Sequence, residues 1–291
     1  MRVVVFGASG VIGRAVVPEL ARGCDVVAVS RRKREPHDGV EWASADATDP
    51  AAVEGVLRPD DVVVYLVHSL GTENFEETDR RAADTVAAAA GRAGARQIVY
   101  LGGLGADPDA DSAHLRSRAE TAERLSAGPV PVTTLRAGMV VGPGSAAFET
   151  IRALVDRLPA MICPRWVSTP TQPIALRDVV AYIAGACGHD ATYGRSFDVA
   201  GPEVMTYREM IERIARVRGK RLPIVEVPVL TPRLSSWWLH LVTPVNASVA
   251  RPLVEGLRTP TVAHDDAIRE IVPFEPTPFD EAVRLALADD S

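Results

Sequence analysis

The chain has 291 residues, 47% of them hydrophobic, with a formal charge of −6 at pH 7 and a pI near 5.6. That apolar share excludes a disordered chain and suits a globular α/β core. The acidic balance, broken only by the short cluster Arg31-Arg32-Lys33-Arg34, excludes a nucleic-acid-binding surface.

The first predicted element is the continuous apolar strand Val3–Phe6. Glycines follow at 7, 10 and 13, and helical periodicity runs over Val11–Arg22. A strand that turns sharply into a helix leaves the helix's first N–H groups unpaired and aimed outward, where they favour an anion, most often a pyrophosphate. Gly7 suits the tight turn, Gly10 lets the backbone approach the phosphates, and Gly13 lets the helix pack closely on the strand. Gly7, Ser9, Gly10, Val11, Ile12 and Gly13 are thus the expected phosphate cradle of a dinucleotide.

The second strand, Val26–Val29, ends in Ser30-Arg31-Arg32. An acid at this position would accept from the ribose hydroxyls of NAD and repel a 2′-phosphate. Here Ser30 offers a hydroxyl and the two arginines offer forked donors that match a phosphate dianion, so NADP(H) is expected in preference to NAD(H). Lys33 and Arg34 read as a solvated turn. Asp46, followed by Ala47, comes after a short strand and is placed to bond the adenine amino group. Asp49, just before Pro50, is the better cap for the predicted helix Pro50–Leu57.

A further strand, Val62–Leu66, runs into Leu66-Val67-His68, whose backbone should border the central ribose and phosphates. His68 can carry a proton near neutrality, although a packing role is the commoner use of a lone histidine. The helix Asn74–Ala93 precedes the strand Gln97–Leu101, with Leu101 and Gly102 at its carboxyl end. The helix Ser112–Ala127 precedes the strand Val132–Leu135, which leads into Arg136 and Ala137 near the expected nicotinamide. Arg136 interrupts an apolar run and needs a fixed partner or a ligand.

Alternation of this kind implies right-handed crossovers and a parallel sheet buried on both faces. The expected fold class is therefore α/β, a Rossmann-type doubly wound parallel sheet with a small C-terminal substrate lobe. After Pro143 prolines become frequent and helices shorten. Residues 1–142 are expected to form the NAD(P)-binding core and residues 143–291 a substrate lobe interleaved with it as one structural unit. Trp166, Trp237 and Trp238 fall on the expected substrate side. The cysteines, Cys24, Cys163 and Cys187, lie far apart without metal-ligand spacing, so no metal site is expected. No apolar run approaches the ~20 residues of a membrane span, and the N-terminus has no signal pattern, which together predict a cytoplasmic protein.

The glycine pattern Gly7–Gly13, the acid at Asp46 and the strand end Tyr100-Leu101-Gly102-Gly103 resemble the short-chain dehydrogenase/reductase superfamily. His114-Leu-Arg-Ser-Arg118, Leu135-Arg-Ala-Gly138 and Gln172-Pro-Ile-Ala175 with Asp178 narrow the resemblance to its atypical, NmrA-like branch. Members of that branch are often described as nucleoside-diphosphate-sugar epimerases. The likeness covers nearly the whole chain and implies a Rossmann-type NAD(P)-binding protein. Ordinary members carry a Tyr-x-x-x-Lys pair on the helix after the fifth strand, one helical turn apart, to pass a proton as hydride moves. Here that helix holds neither residue; His114-x-x-x-Arg118 takes the place. His114 can serve as acid or base, and Arg118 can keep it neutral or bind a substrate anion.

The sequence thus points to an NADPH-dependent reductase of a small carbonyl or enone compound, with His114 and Arg118 as candidate catalytic residues. The missing pair keeps open a non-catalytic NADP(H) sensor and, further back, a sugar-nucleotide epimerase. A small-molecule substrate is expected as partner. Helices Asn74–Ala93 and Ser112–Ala127 occupy the place where relatives often dimerise, so a homodimer or a protein partner is compatible with the reading.

Overall fold

The continuous apolar runs of the N-terminal half assemble into the seven-stranded sheet that a doubly wound fold requires. This is a computed structural model, and it describes residues 1–32, 34, 40–72, 74–110, 112–227 and 257–288. Strands β1 (Arg2–Phe6), β2 (Asp25–Ser30), β3 (Glu41–Ser44), β4 (Val62–Tyr65), β5 (Gln97–Gly103) and β6 (Val132–Ala137) alternate with four helices. These are α1 (Val11–Ala21), α2 (Pro50–Glu54), α3 (Phe75–Ala93) and α4 (Ala113–Ser126). Beyond them come β7 (Val140–Val141), α5 (Ala146–Arg157), β8 (Met161–Pro164), β9 (Pro170–Thr171), β10 (Ile174–Ala175) and α6 (Leu176–Ala186). The remaining elements are β11 (Ser196–Val199), β12 (Met205–Thr206), α7 (Tyr207–Val217), β13 (Ile224–Val227), α8 (Ile268–Ile271) and α9 (Phe279–Ala288).

The main sheet has the order β11-β6-β5-β4-β1-β2-β3, and every pairing in it is parallel. The order reverses between β1 and β4, which places a crevice at their carboxyl ends. One face of the sheet buries α1 and α6 through Val16, Leu20, Val179 and Ile183. The other buries α2, α3 and α4 through Val53, Ala83, Val86 and Leu125. The alanines of α3 bring that helix close to the sheet, and its end falls at Gly94, in the left-handed region at φ 71°.

Predicted and observed boundaries agree within two residues for most of the N-terminal elements. The helix from Pro50 is the exception: it stops at Glu54 with Gly55 as its C-cap, short of Leu57. Asp49 accepts from the N–H groups of Ala51 and Ala52 and caps it. From beyond residue 143, β11 returns to pair with β6, and α6 packs on α1. The rest of this part forms a second core around Phe148, Met210, Ile214 and Val283. Three small pairings brace it: β7 with β10, β8 with β13 and β9 with β12. Lys33, Trp237 and Trp238 lie outside the described residues.

Among the described residues no helix is long and apolar enough to cross a membrane. No group of three or more His, Cys, Asp or Glu is placed among them to hold a metal ion.

Candidate functional site

A cleft of about 380 Å³ opens at the carboxyl ends of the strands, with the glycine turn as its floor. Gly7 sits at φ +83°, and a Cβ there would lie 2.9 Å from the Leu66 carbonyl carbon. A Cβ on Gly13 would lie 2.4 Å from the Gly7 oxygen and 2.6 Å from the Ala8 Cα. Both neighbours are backbone and cannot give way, so these two positions require glycine. Gly10 is the extended residue before α1, and its N–H bonds the Gly7 carbonyl at 2.9 Å. No acid occupies the first turn of α1. The turn is thus a cradle that two obligatory glycines keep open, closed by a helix N-terminus, and its shape fits a dinucleotide pyrophosphate. Arg14, which the sequence reading did not single out, stands on the first turn of α1, with its guanidinium 3.8 Å from the position a Gly144 Cβ would take.

The expected adenosine end lies on the next two strands. The Ala8 N–H bonds the Val29 carbonyl at 3.2 Å, which ties the end of β2 to the glycine turn. Arg31 and Arg32 are exposed there. The buried Ser30 donates its hydroxyl to the Arg32 carbonyl at 2.6 Å, shaping the turn that carries them. Arg34 stacks on Trp42, 5.1 Å from the ring centre. Asp46 Oδ1 accepts from the Thr48 N–H and hydroxyl at 2.8 and 2.7 Å. Those bonds, with the Arg31 charge behind them, hold its carboxyl below the ordinary range. Ala47 is buried in the core and Val67 packs against its edge.

The other end of the cleft is where α4 meets the loops after β4 and β5. His68, His114 and Arg118 line it together with Gly102, Leu115 and Met139. Asp79 of α3 is buried and accepts from the Ser69 N–H at 2.7 Å and the Ser117 hydroxyl at 3.0 Å. It thereby fixes the loop carrying His68 to the helix carrying Arg118. The Arg118 carbonyl accepts from the Tyr100 hydroxyl at 3.1 Å, and its guanidinium reaches the Leu101 carbonyl at 3.5 Å. No described acid pairs with that guanidinium.

The described residues lining the cleft include no Asp or Glu at all. Burial, then the charges of Arg118 and His68, push His114 down to about 3, so its imidazole is neutral at pH 7. His68 is exposed at the cleft. The apolar wall around it, with the Arg118 charge second, holds it below the ordinary histidine range.

Twelve of the residues predicted to form the site line one cleft: Gly7, Gly10, Val11, Ile12, Gly13, Leu66, His68, Leu101, Gly102, His114, Arg118 and Ala137. Arg136 is turned elsewhere. Its Nε donates to the fully buried Asp198 on β11 at 2.7 Å, which gives it the fixed partner that its place in an apolar run demands. The cleft wall also contains Leu70, Leu104, Tyr207, Leu257 and Thr261, none of which was singled out by motif or spacing. They come from separate segments that only the tertiary fold brings together.

Residues 7–140 match the family described as NAD(P)H-binding. A (4-alkanoyl-5-oxo-2,5-dihydrofuran-3-yl)methyl phosphate reductase of Streptomyces griseus is 32% identical over 238 residues, covering 78% of this chain and 77% of that protein. Among solved structures, the NADPH-dependent quinone oxidoreductase QOR2 of Escherichia coli, complexed with NADPH, superposes with a TM-score of 0.79 at 18% identity. That match covers 98% of this chain and 99% of the other. Triphenylmethane reductase of Citrobacter sp., complexed with NADP(H), superposes with a TM-score of 0.77 at 17% identity, covering 98% of this chain and 100% of the other. These likenesses show the shared fold.

Proposed function

This chain belongs to the NAD(P)H-binding family of atypical short-chain dehydrogenase/reductase proteins, and we propose that within it the chain is an NADPH-dependent reductase of a small carbonyl or enone compound bearing an anionic group. The observation that carries the reading is a cleft whose described lining holds no acid and which joins the glycine cradle to a polar end built from His114 and Arg118.

Gly7, Ser9, Gly10, Val11, Ile12 and Gly13 would hold the pyrophosphate. Ser30, Arg31 and Arg32 would hold the 2′-phosphate, and Asp46, beside Ala47, would take the adenine amino group through its second oxygen. The bound dinucleotide supplies a hydride. On the substrate side, the neutral His114 donates a hydrogen bond to the carbonyl oxygen and favours the negative charge that develops there. Arg118, which no described acid pairs with, offers a charge-assisted fork to the substrate's anionic group. The Streptomyces griseus relative's substrate, by its name, joins a conjugated lactone, an alkanoyl chain and a phosphate. Leu70, Leu104, Leu115, Met139 and Leu257 form an apolar wall suited to such a chain.

The test is a panel of α,β-unsaturated lactones, enones and quinones, with and without a phosphate, followed by loss of NADPH absorbance. Turnover of at least one phosphate-bearing member is expected. His114→Ala should lower kcat by about 10²-fold, the usual loss for one oxyanion donor. The absence of Tyr-x-x-x-Lys from α4 supports a second reading, a non-catalytic NADP(H) sensor. Tight NADPH binding with no turnover of any panel member, unaffected by His114→Ala, would establish that reading instead.

A further inference from the structure

Reduction of a carbonyl needs a proton as well as a hydride, and α4 carries no tyrosine to give one. Among the described residues lining the cleft, the side chains bearing transferable hydrogens are His68, His114, Arg118, Ser145, Tyr207 and Thr261. The two imidazoles are neutral at pH 7 and a guanidinium does not release its proton. Ser145 donates its hydroxyl to the Val140 carbonyl at 2.7 Å. That leaves Tyr207 and Thr261, of which the phenol is much the stronger acid.

Tyr207 is held firmly. It opens α7 behind Thr206, whose side chain forms a reciprocal capping box with Glu209. Its N–H bonds the Thr169 carbonyl at 3.3 Å, and its ring packs edge-on against Trp166 with centroids 6.2 Å apart. Its buried side chain lies beside the hydroxyls of Thr171 and Thr261. Those two threonine hydroxyls are themselves 2.8 Å apart, and Thr171 is fully buried while Thr261 faces the cleft. Thr261 is fixed from both sides, its N–H bonding the Pro170 carbonyl at 3.2 Å and its carbonyl the Gln172 N–H at 2.8 Å. The result is three hydroxyl-bearing side chains on a rigid support, of which Tyr207 and Thr261 line the cleft and Thr171 is sealed from water.

We propose that Tyr207 is the proton donor of the reduction and that Thr261, backed by Thr171, restores its proton. The inference rests on the reductase reading above. Hydride addition at the carbonyl carbon, with NADPH as reductant, leaves the former π electron pair on oxygen as an oxyanion. The Tyr207 O–H bond breaks and its proton joins that oxygen, giving the alcohol, or the enol when addition is conjugate. The phenolate is then reprotonated from cleft water through the Thr261 hydroxyl, which gives its proton to the phenolate oxygen as it receives one from the water. Burial raises the phenol above its ordinary range, so the donor stays protonated at neutral pH. The donor thus comes from the second core rather than from α4.

The decisive variant is Tyr207→Phe, which keeps the ring against Trp166. With an active panel member, kcat should fall about a hundredfold or more while KM stays within about twofold, and the solvent deuterium effect on kcat should change. A second measurement needs no turnover. Binding of p-nitrophenolate, an oxyanion probe, to NADP⁺-loaded protein should weaken about tenfold in the variant, as expected when one hydrogen bond to a charged group is lost. If the wild type reduces nothing but the variant still loses p-nitrophenolate affinity, the reductase reading falls and the donor role with it, leaving Tyr207 as an oxyanion-binding group of the cleft. If the wild type turns over and Tyr207→Phe matches it in kcat and solvent isotope effect, the donor assignment is overturned. Equal p-nitrophenolate affinity in both proteins also overturns it.

Discussion

His114 and Arg118 stand one helical turn apart and share the cleft wall, and burial first, with the Arg118 charge second, keeps the imidazole neutral. A histidine in water takes up a proton near pH 6.5, and in the unfolded chain His114 would do the same. In the folded chain it does so only at about 3. The unfolded state therefore binds more protons between those values. The stability that rests on a neutral His114 is complete above pH 6.5 and is lost as pH falls towards 3. Two outcomes follow. The His114 ring protons should not titrate between pH 5 and 8 by NMR, and His114→Gln should lose less stability than the wild type between pH 6.5 and 4. A midpoint near 6.5 for His114 would show that its ring is not desolvated. The histidine–arginine spacing could be seen in the sequence. So could the part Arg118 plays in keeping the ring neutral, but not the larger part, burial, which arises only when the fold closes the cleft around it.

The strand-turn-helix from β1 to α1 was readable at once, since its apolar run, its three glycines and its helical period are local. The same holds for Asp49 and Pro50 at the start of α2. β11 was not, because its four residues include Asp198, a charge that reads as solvent-facing. Its burial makes sense only beside Arg136, 62 residues away, with which it pairs at 2.7 Å. Asp198 does more than neutralise that arginine. Its second oxygen accepts from the His264 N–H at 2.8 Å and meets His264 Nδ1 at 3.1 Å. Gln172 Oε1 accepts from the Ala263 N–H at 3.0 Å. These bonds stitch the segment 257–264 to the sheet edge, and with it Leu257 and Thr261 over the cleft. Asp198→Ala should therefore cost about 2 kcal/mol, within the range for a buried charged hydrogen-bond partner. It should also raise KM more than it lowers kcat. Thermal melts and steady-state kinetics check both, and an unchanged KM would mean that this segment does not shape the substrate end.

The whole molecule carries a charge of −6, yet the described residues lining its cleft include no acid. Such segregation draws anions to one place on an otherwise acidic surface. It is invisible in composition, where arginines and acids are only counted, and it appears once seven parallel strands put the right loops together. The proposed adenosine end could be assigned from the sequence because its residues follow β1, β2 and β3 in simple succession. The substrate end draws on α4, α7 and the segment near Thr261, which the sequence keeps far apart. Calorimetric titration of NADPH and NADH into the wild type and into Arg31→Ala/Arg32→Ala, at one fixed ionic strength, tests the assignment of the cleft. The wild type should bind NADPH at least tenfold more tightly than NADH, in line with two charged hydrogen-bonding partners for one phosphate. The double variant should lose that preference while keeping its NADH affinity. Equal binding of the two dinucleotides by the wild type, or equal losses for both in the variant, would contradict it.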